Sequence, residues 1–84
     1  MALRVRIPPA VAKLAAQELT VDPAPADVSR LIAELERRHP GLGKALDSSS
    51  VNAAVNGSVV LHGRDATALK DGDEVEFLVM FAGG

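Results

Sequence analysis

An α+β domain, with one helix laid on a single face of one sheet, is predicted for these 84 residues by three observations. Apolar and polar residues alternate at the start of the chain, as in half-buried strands. A helical period follows from Val28 to Leu35. Strand-like runs then return and continue to Phe81. The order strand, strand, helix, strand, strand, strand puts the helix across a sheet that has one covered face.

Each element has a local cause. Leu3, Val5 and Ile7 alternate with Ala2, Arg4 and Arg6, giving a first strand. Pro8-Pro9 ends it, because proline cannot donate to a ladder. Residues 10–17 fit either a short helical turn or a wide connection. Leu19 and Val21 alternate with Glu18, Thr20 and Asp22, a second short strand. Asp22-Pro23-Ala24-Pro25 breaks the chain direction. Asp27 is the expected N-cap, since its carboxylate can accept an otherwise orphaned backbone N–H. Val28, Leu31, Ile32 and Leu35 share one helical face. Arg30–Glu34 and Glu34–Arg38 are expected i,i+4 pairs on the opposite face. Pro40 and Gly41 stop the helix, and Leu42 to Leu46 can add another short turn. After the polar loop Asp47-Ser48-Ser49-Ser50, Val51, Ala53 and Val55 read as a strand. Asn56-Gly57 is a two-residue hairpin signal, with Val59 and Leu61 on the return strand. Asp71-Gly72-Asp73 is a further turn before the last strand, Glu74 to Phe81.

Composition narrows the function. A chain of 84 residues makes one domain with a small core. It has no cysteine, hence no disulfide framework and no cysteine nucleophile of its own, which is compatible with the cytosol. Met1 opens directly on a strand-like run, so no signal peptide is expected. No apolar stretch approaches the ~20 residues of a membrane-spanning helix. The formal charge is −2, with no basic stripe, and Phe77 and Phe81 are the only aromatics. Neither the electrostatic footprint nor the stacking platform of a nucleic-acid binder is there.

The last strand and the residues after it carry the functional signal. Val75, Phe77 and Val79 share the parity expected to face the core. Leu78 and Met80 point to the other face, where polar residues are usual. Adjacent apolar side chains there suggest a docking patch formed by Leu78, Met80 and Phe81, methionine suiting an irregular partner surface. The alternative is that residues 10–17 fold over this face. The chain then stops at Ala82-Gly83-Gly84. Three such residues reach at most ~10 Å, enough to thread a narrow cleft and present the Gly84 carboxylate there. The division expected is a folded domain over residues 1–81 and a flexible tail over 82–84.

Leu69-Lys70-Asp71-Gly72-Asp73-Glu74-Val75 before a strand that ends in Gly83-Gly84 resembles the ubiquitin-like sulfur carriers of the MoaD/ThiS family. His39-Pro40-Gly41-Leu42 and Val55-Asn56-Gly57 add to the likeness, which covers nearly all of the chain after residue 18. The resemblance implies a ubiquitin-like β-grasp: a mixed four- to five-stranded sheet with one main helix packed on one face. It also implies a cytoplasmic carrier and co-substrate rather than an enzyme, with no cofactor bound. An activating enzyme of the ubiquitin-activating type would use ATP and magnesium to adenylate Gly84. A sulfur donor of the cysteine desulfurase or rhodanese kind would then displace AMP and leave a thiocarboxylate. An acceptor enzyme, such as a molybdopterin synthase large subunit, would take the sulfur. Chain length and Pro40-Gly41-Leu42 lean towards the molybdopterin small-subunit type. Thiamine-thiazole, cysteine and specialised-metabolite carriers belong to the same class. Two departures from the molybdopterin pattern stand out. Val79-Met80-Phe81-Ala82 replaces a Pro-Pro pair before the glycines, and Pro8-Pro9-Ala10-Val11-Ala12 lacks the usual aromatic and arginine.

Two other classes compete: a ubiquitin-like modifier joined through Gly84 to target lysines, and a β-grasp interaction domain whose glycines are incidental. Remaining candidate sites have plainer readings. His39 and His62 have no convergent ligands for a metal. Asp71 and Asp73 suit a turn better than acid–base work. Ser48-Ser49-Ser50 has no histidine base at a suggestive spacing. Gly41-x-Gly43 lacks the rest of a phosphate loop. Lys13, Lys44 and Lys70 read as surface charges.

Overall fold

The computed structural model describes residues 2–9, 17–47, 51–60 and 67–79. Five strands form one mixed sheet with the order β2-β1-β5-β3-β4: β1 (Leu3–Arg6), β2 (Glu18–Val21), β3 (Val51–Val55), β4 (Ser58–Val60) and β5 (Glu74–Val79). The central pair, β1 and β5, is parallel, and the other neighbours are antiparallel. The helices among the described residues are α1 (Val28–Arg38) and the short α2 (Leu42–Leu46). This is the mixed sheet with a main helix on one face that the sequence predicts.

The core follows from strand parity. Leu3, Val5, Ile7 and Val21 share a buried cluster with Val51, Ala53, Val75 and Phe77. Val28, Leu31, Ile32 and Leu35 enter the same cluster from α1, and Leu42 and Leu46 enter it from α2. Phe77, on the strand between β1 and β3, is only 1% exposed. Leu69 joins the cluster beside the start of α1, its N–H donating to the Ala26 carbonyl at 2.9 Å.

Asp27 caps α1 as expected, its Oδ1 accepting from the Arg30 N–H at 2.8 Å. The expected charge pairs need one correction. Glu34 does pair with Arg38, but its second partner is Arg37 rather than Arg30. Arg30 instead lies 3.7 Å from Asp27. The N-cap carboxylate draws Arg30 back one turn, and the two C-terminal guanidiniums fill both oxygens of Glu34. They hold its carboxyl at a pKa of about 2. Arg37 and Arg38 also suit the negative end of the helix.

Past Pro40 the chain turns through Gly41, at φ +94°, into α2. Glu36 on α1 reaches over this turn, accepting from the Gly41 N–H at 2.9 Å and the Lys44 N–H at 3.1 Å. These donors, Gly41 first, pull its carboxyl below the usual range. Gly43 lets the two helices touch: a Cβ there would stand 2.5 Å from Glu36 Cβ and 2.7 Å from the Ile32 carbonyl oxygen. Gly43→Ala is therefore expected to lower stability by about 1–3 kcal/mol, read as a shift in urea midpoint. An unshifted midpoint would show that α2 can move away at no cost.

The Asn56-Gly57 hairpin forms with φ +51° and +88°, the pair of left-handed residues that a type I′ turn needs. Val59 is on the return strand, β4, as expected. It faces away from the core and is 44% exposed, because Ala54, its partner on β3, is on the outer face. Leu61 lies outside the described residues. So do Lys13, Ser48-Ser49-Ser50 and His62 among the candidates, and so does most of the segment 10–17.

Candidate functional site

The strand that leads to the chain's last residues sits in the middle of the sheet. β5 pairs with β1 through Arg4↔Glu74, Val5↔Val75 and Arg6↔Glu76. On its other side it pairs with β3 over five positions, ending at Val51↔Val79. A strand bonded on both sides cannot fray as an edge strand does. The pairing with β1 covers residues 74–76; Leu78 and Val79, the last described residues of β5, are held by β3 alone. Met80, Phe81, Ala82, Gly83 and Gly84 lie outside the described residues.

Leu78 is on the face opposite the helices, beside Asn52 of β3, and is half-buried. One row crosses this outer face through all five strands: Val59, Ala54, Glu76, Arg6 and Glu18. Its β4 side is apolar and its β2 side carries alternating charge. The next row holds Glu74, Arg4 and Thr20, with Arg4 and Glu74 3.6 Å apart. Both side chains are well exposed, so this pair adds little stability and stays available to a partner. Val59 belongs to this face although the sequence pattern places it only on the return strand. Its signal was the two-residue turn, which fixes that Val59 stands across from Ala54.

β1 stops at Arg6, opposite Glu76, while β5 runs on to Val79, and a groove of about 500 Å³ opens beside that overhang. Ile7, Pro8, Pro9, Leu78 and Val79 give it apolar walls, and Arg6 and Glu18 stand at its polar side. The prolines stop β1 and so create the step beside β5. Leu78, which the sequence assigns to a docking patch, lines this groove.

No described side chains form a set suited to bond-making chemistry. Among the described residues there is no group of three or more potential metal ligands. Asp73 is 7% exposed and bound within the turn. Its Oδ1 accepts from Asn56 Nδ2 at 3.1 Å and its Oδ2 from the Lys70 N–H at 3.0 Å. Those donors, Asn56 first, hold its carboxyl below the usual range, which is turn chemistry rather than acid–base poise. Among the described residues no helix is long and apolar enough to cross a membrane. What the arrangement offers is a surface: a strand end paired with β3, a groove on its other side, and a face with apolar and charged halves.

A family model, described as the ThiS family, matches residues 5–84. No curated protein sequence matches the chain. Among solved structures, a chain of the BexX/CysO complex of Amycolatopsis orientalis is 30% identical with a TM-score of 0.80, over 99% of this chain and 100% of that one. CysO of Mycobacterium tuberculosis is 26% identical with a TM-score of 0.80, over 94% and 99%. The thiamine biosynthesis protein ThiS of Geobacter metallireducens is 32% identical with a TM-score of 0.63, over the whole of both chains.

Proposed function

The chain belongs to the ThiS family of small ubiquitin-like sulfur carriers, and on that premise we propose that it carries sulfur as a thiocarboxylate on Gly84. Members of this family are carrier subunits, not catalysts. The observation that carries the reading is the extent of the match, which runs through the last strand and includes Ala82, Gly83 and Gly84.

A carboxylate is a poor electrophile, so Gly84 needs activation by another protein. In the proposed cycle a partner of the ubiquitin-activating type uses ATP, with magnesium: a Gly84 carboxylate oxygen attacks the α-phosphorus, joining AMP to the carboxylate and releasing pyrophosphate. A persulfide sulfur, presented by a cysteine desulfurase or rhodanese-like protein, attacks the acyl carbon and AMP leaves. A thiol then reduces the resulting acyl disulfide, freeing the thiocarboxylate and leaving the donor cysteine in a disulfide with that thiol. The attacking atom must come within ~3–3.5 Å along an aligned path. Glycine at 83 and 84 leaves that path open, with Ala82 small enough to follow into the cleft. The domain binds no cofactor of its own in this scheme and acts in the cytoplasm. Its part is to dock, through the outer face and the groove at the base of the tail, and to deliver the terminus.

Intact-mass measurement of the protein from its native host tests this directly. Replacement of one oxygen by sulfur supports the carrier. Covalent adducts with other proteins support the modifier. Neither, beside a working activating enzyme, leaves an interaction domain. For the acceptor, Pro40-Gly41-Leu42 favours a molybdopterin synthase large subunit. Two matches with a TM-score of 0.80 come from structures that contain CysO, which favours an acceptor of the kind CysO serves. Capture of the tight partner from the host separates the two.

Docking makes its own prediction. Met80→Glu is expected to weaken binding to the activating enzyme by about tenfold, roughly 1.4 kcal/mol, with little change in melting temperature. Titration calorimetry with the purified pair reads this, and unchanged affinity removes Met80 from the docking surface.

A further inference from the structure

The Asn56-Gly57 turn is both a structural joint and a chemically fragile bond. Asn56 Oδ1 accepts from the Glu74 N–H at 3.0 Å, while its Nδ2 donates to Asp73 Oδ1 at 3.1 Å. The Asn56 backbone N–H donates to the Glu74 carbonyl at 2.8 Å. One amide side chain therefore fastens the β3–β4 hairpin to the first residue of β5. Asp73, in turn, is tied to Lys70.

An asparagine followed by glycine is prone to cyclise. Gly57 has no Cβ to shield its backbone nitrogen. That nitrogen can attack Asn56 Cγ, forming a C–N bond. It loses its proton, and the side-chain amide leaves as ammonia. Water then opens the five-membered succinimide at either carbonyl, giving aspartate or isoaspartate. No oxidant or reductant is needed. In the folded chain the side chain must first turn towards Gly57, and that breaks both of its hydrogen bonds.

We propose that Asn56 is a deamidation site guarded by the Asp73–Glu74 clasp, and that its conversion releases the hairpin from the strand leading to the C terminus. The product puts a carboxylate where Nδ2 donated, 3.1 Å from Asp73 Oδ1. Two carboxylates that close resist sharing one site in ionised form. Of the cations nearby, Lys70 attracts Asp73 and Arg4 is engaged by Glu74 at 3.6 Å, so neither neutralises the new carboxylate, and Glu74 adds a further negative charge. The isoaspartate product also adds a backbone carbon to a two-residue turn, which spoils the register of β3 and β4.

The test is peptide mapping of the full chain during storage at neutral pH, folded and in urea, for the natural protein and Asp73→Ala. Conversion at Asn56 is expected to be at least about tenfold slower folded than unfolded, because reaction needs local opening. Asp73→Ala, confirmed as folded by circular dichroism, is expected to raise the folded rate several-fold. Equal rates in the folded and unfolded natural protein, or an unchanged rate in folded Asp73→Ala, would overturn the proposal.

Asn56→Asp gives a second readout that does not depend on Asp73→Ala folding. In the natural protein the Asp73 carboxyl is lowered on folding, so its contribution is present above the unfolded value and lost as pH falls through the folded one. In Asn56→Asp the two facing carboxylates raise one pKa, and that penalty is relieved as pH falls. The melting temperature of the variant should therefore lie below the natural one at neutral pH, and the gap should narrow towards about pH 4. A constant or widening gap rejects the clasp.

Discussion

Gly84→Ala, or one residue added after Gly84, is expected to abolish sulfur charging and leave the fold intact. The Gly84 carboxyl group is the only part of the carrier whose bonds change in the proposed cycle. A methyl group at position 84 sits on the carboxyl carbon's neighbour and crowds both the cleft and the approach of the nucleophile. An extra residue moves the carboxylate by up to ~3.6 Å, beyond the tolerance of an aligned attack. Among the described residues of β5, Val75 and Phe77 lie within the core and Val79 packs against it, and a methyl group at position 84 removes none of these contacts. Melting temperature should therefore stay the same. The measurement is intact mass after incubation with the activating enzyme, ATP, magnesium and a sulfur donor. Normal thiocarboxylate yield from either variant would show that the terminus is not the reacting group.

Phe77→Ala is expected to act in the opposite way, on folding first. Among the described residues Phe77 is the largest fully buried side chain, on the central strand, facing Ala53 across the pair with β3. Its truncation is expected to cost about 3–5 kcal/mol, from lost burial and the cavity left behind. Small domains have about 5–15 kcal/mol in total, so the loss takes much of the margin. Urea denaturation should show a strongly lowered midpoint. Charging should fall only in step with the fraction unfolded, since Gly84 is untouched. A loss under about 1 kcal/mol would mean that Phe77 is not central to the core. Together the two variants separate the folded base from the reacting end.

Much of the fold is legible in the sequence because the signals are local. The parity of Leu3, Val5 and Ile7, the i, i+3, i+4, i+7 set of α1, the Asp27 cap and the Asn56-Gly57 turn each depend on residues within about one turn or strand. The misread Arg30 shows where local reasoning stops. Asp27 and Glu34 both lie within its reach, and the choice went to the N-cap because Arg37 and Arg38 had already occupied Glu34. Gly43 is similar. As a sequence feature it belongs only to an incomplete phosphate motif, whereas in the fold it is the contact point of α2 with α1. The same holds for Glu36, whose role in holding Gly41 and Lys44 needs the second helix in place.

The sequence by itself determined the class of the molecule: the alternation and helical period specify a sheet with a helix on one face, and the run from Leu69 to Gly84 marks the carrier family. Those features survive in one dimension because hydrogen-bonding geometry imposes fixed periods along the chain. Only the tertiary structure decided that β5 is the central strand, that Val59 and Leu78 share the outer face, and that Asn56 is clasped to Asp73. These depend on which distant segments pair, and pairing is settled by burying one common core rather than by any residue's own preference.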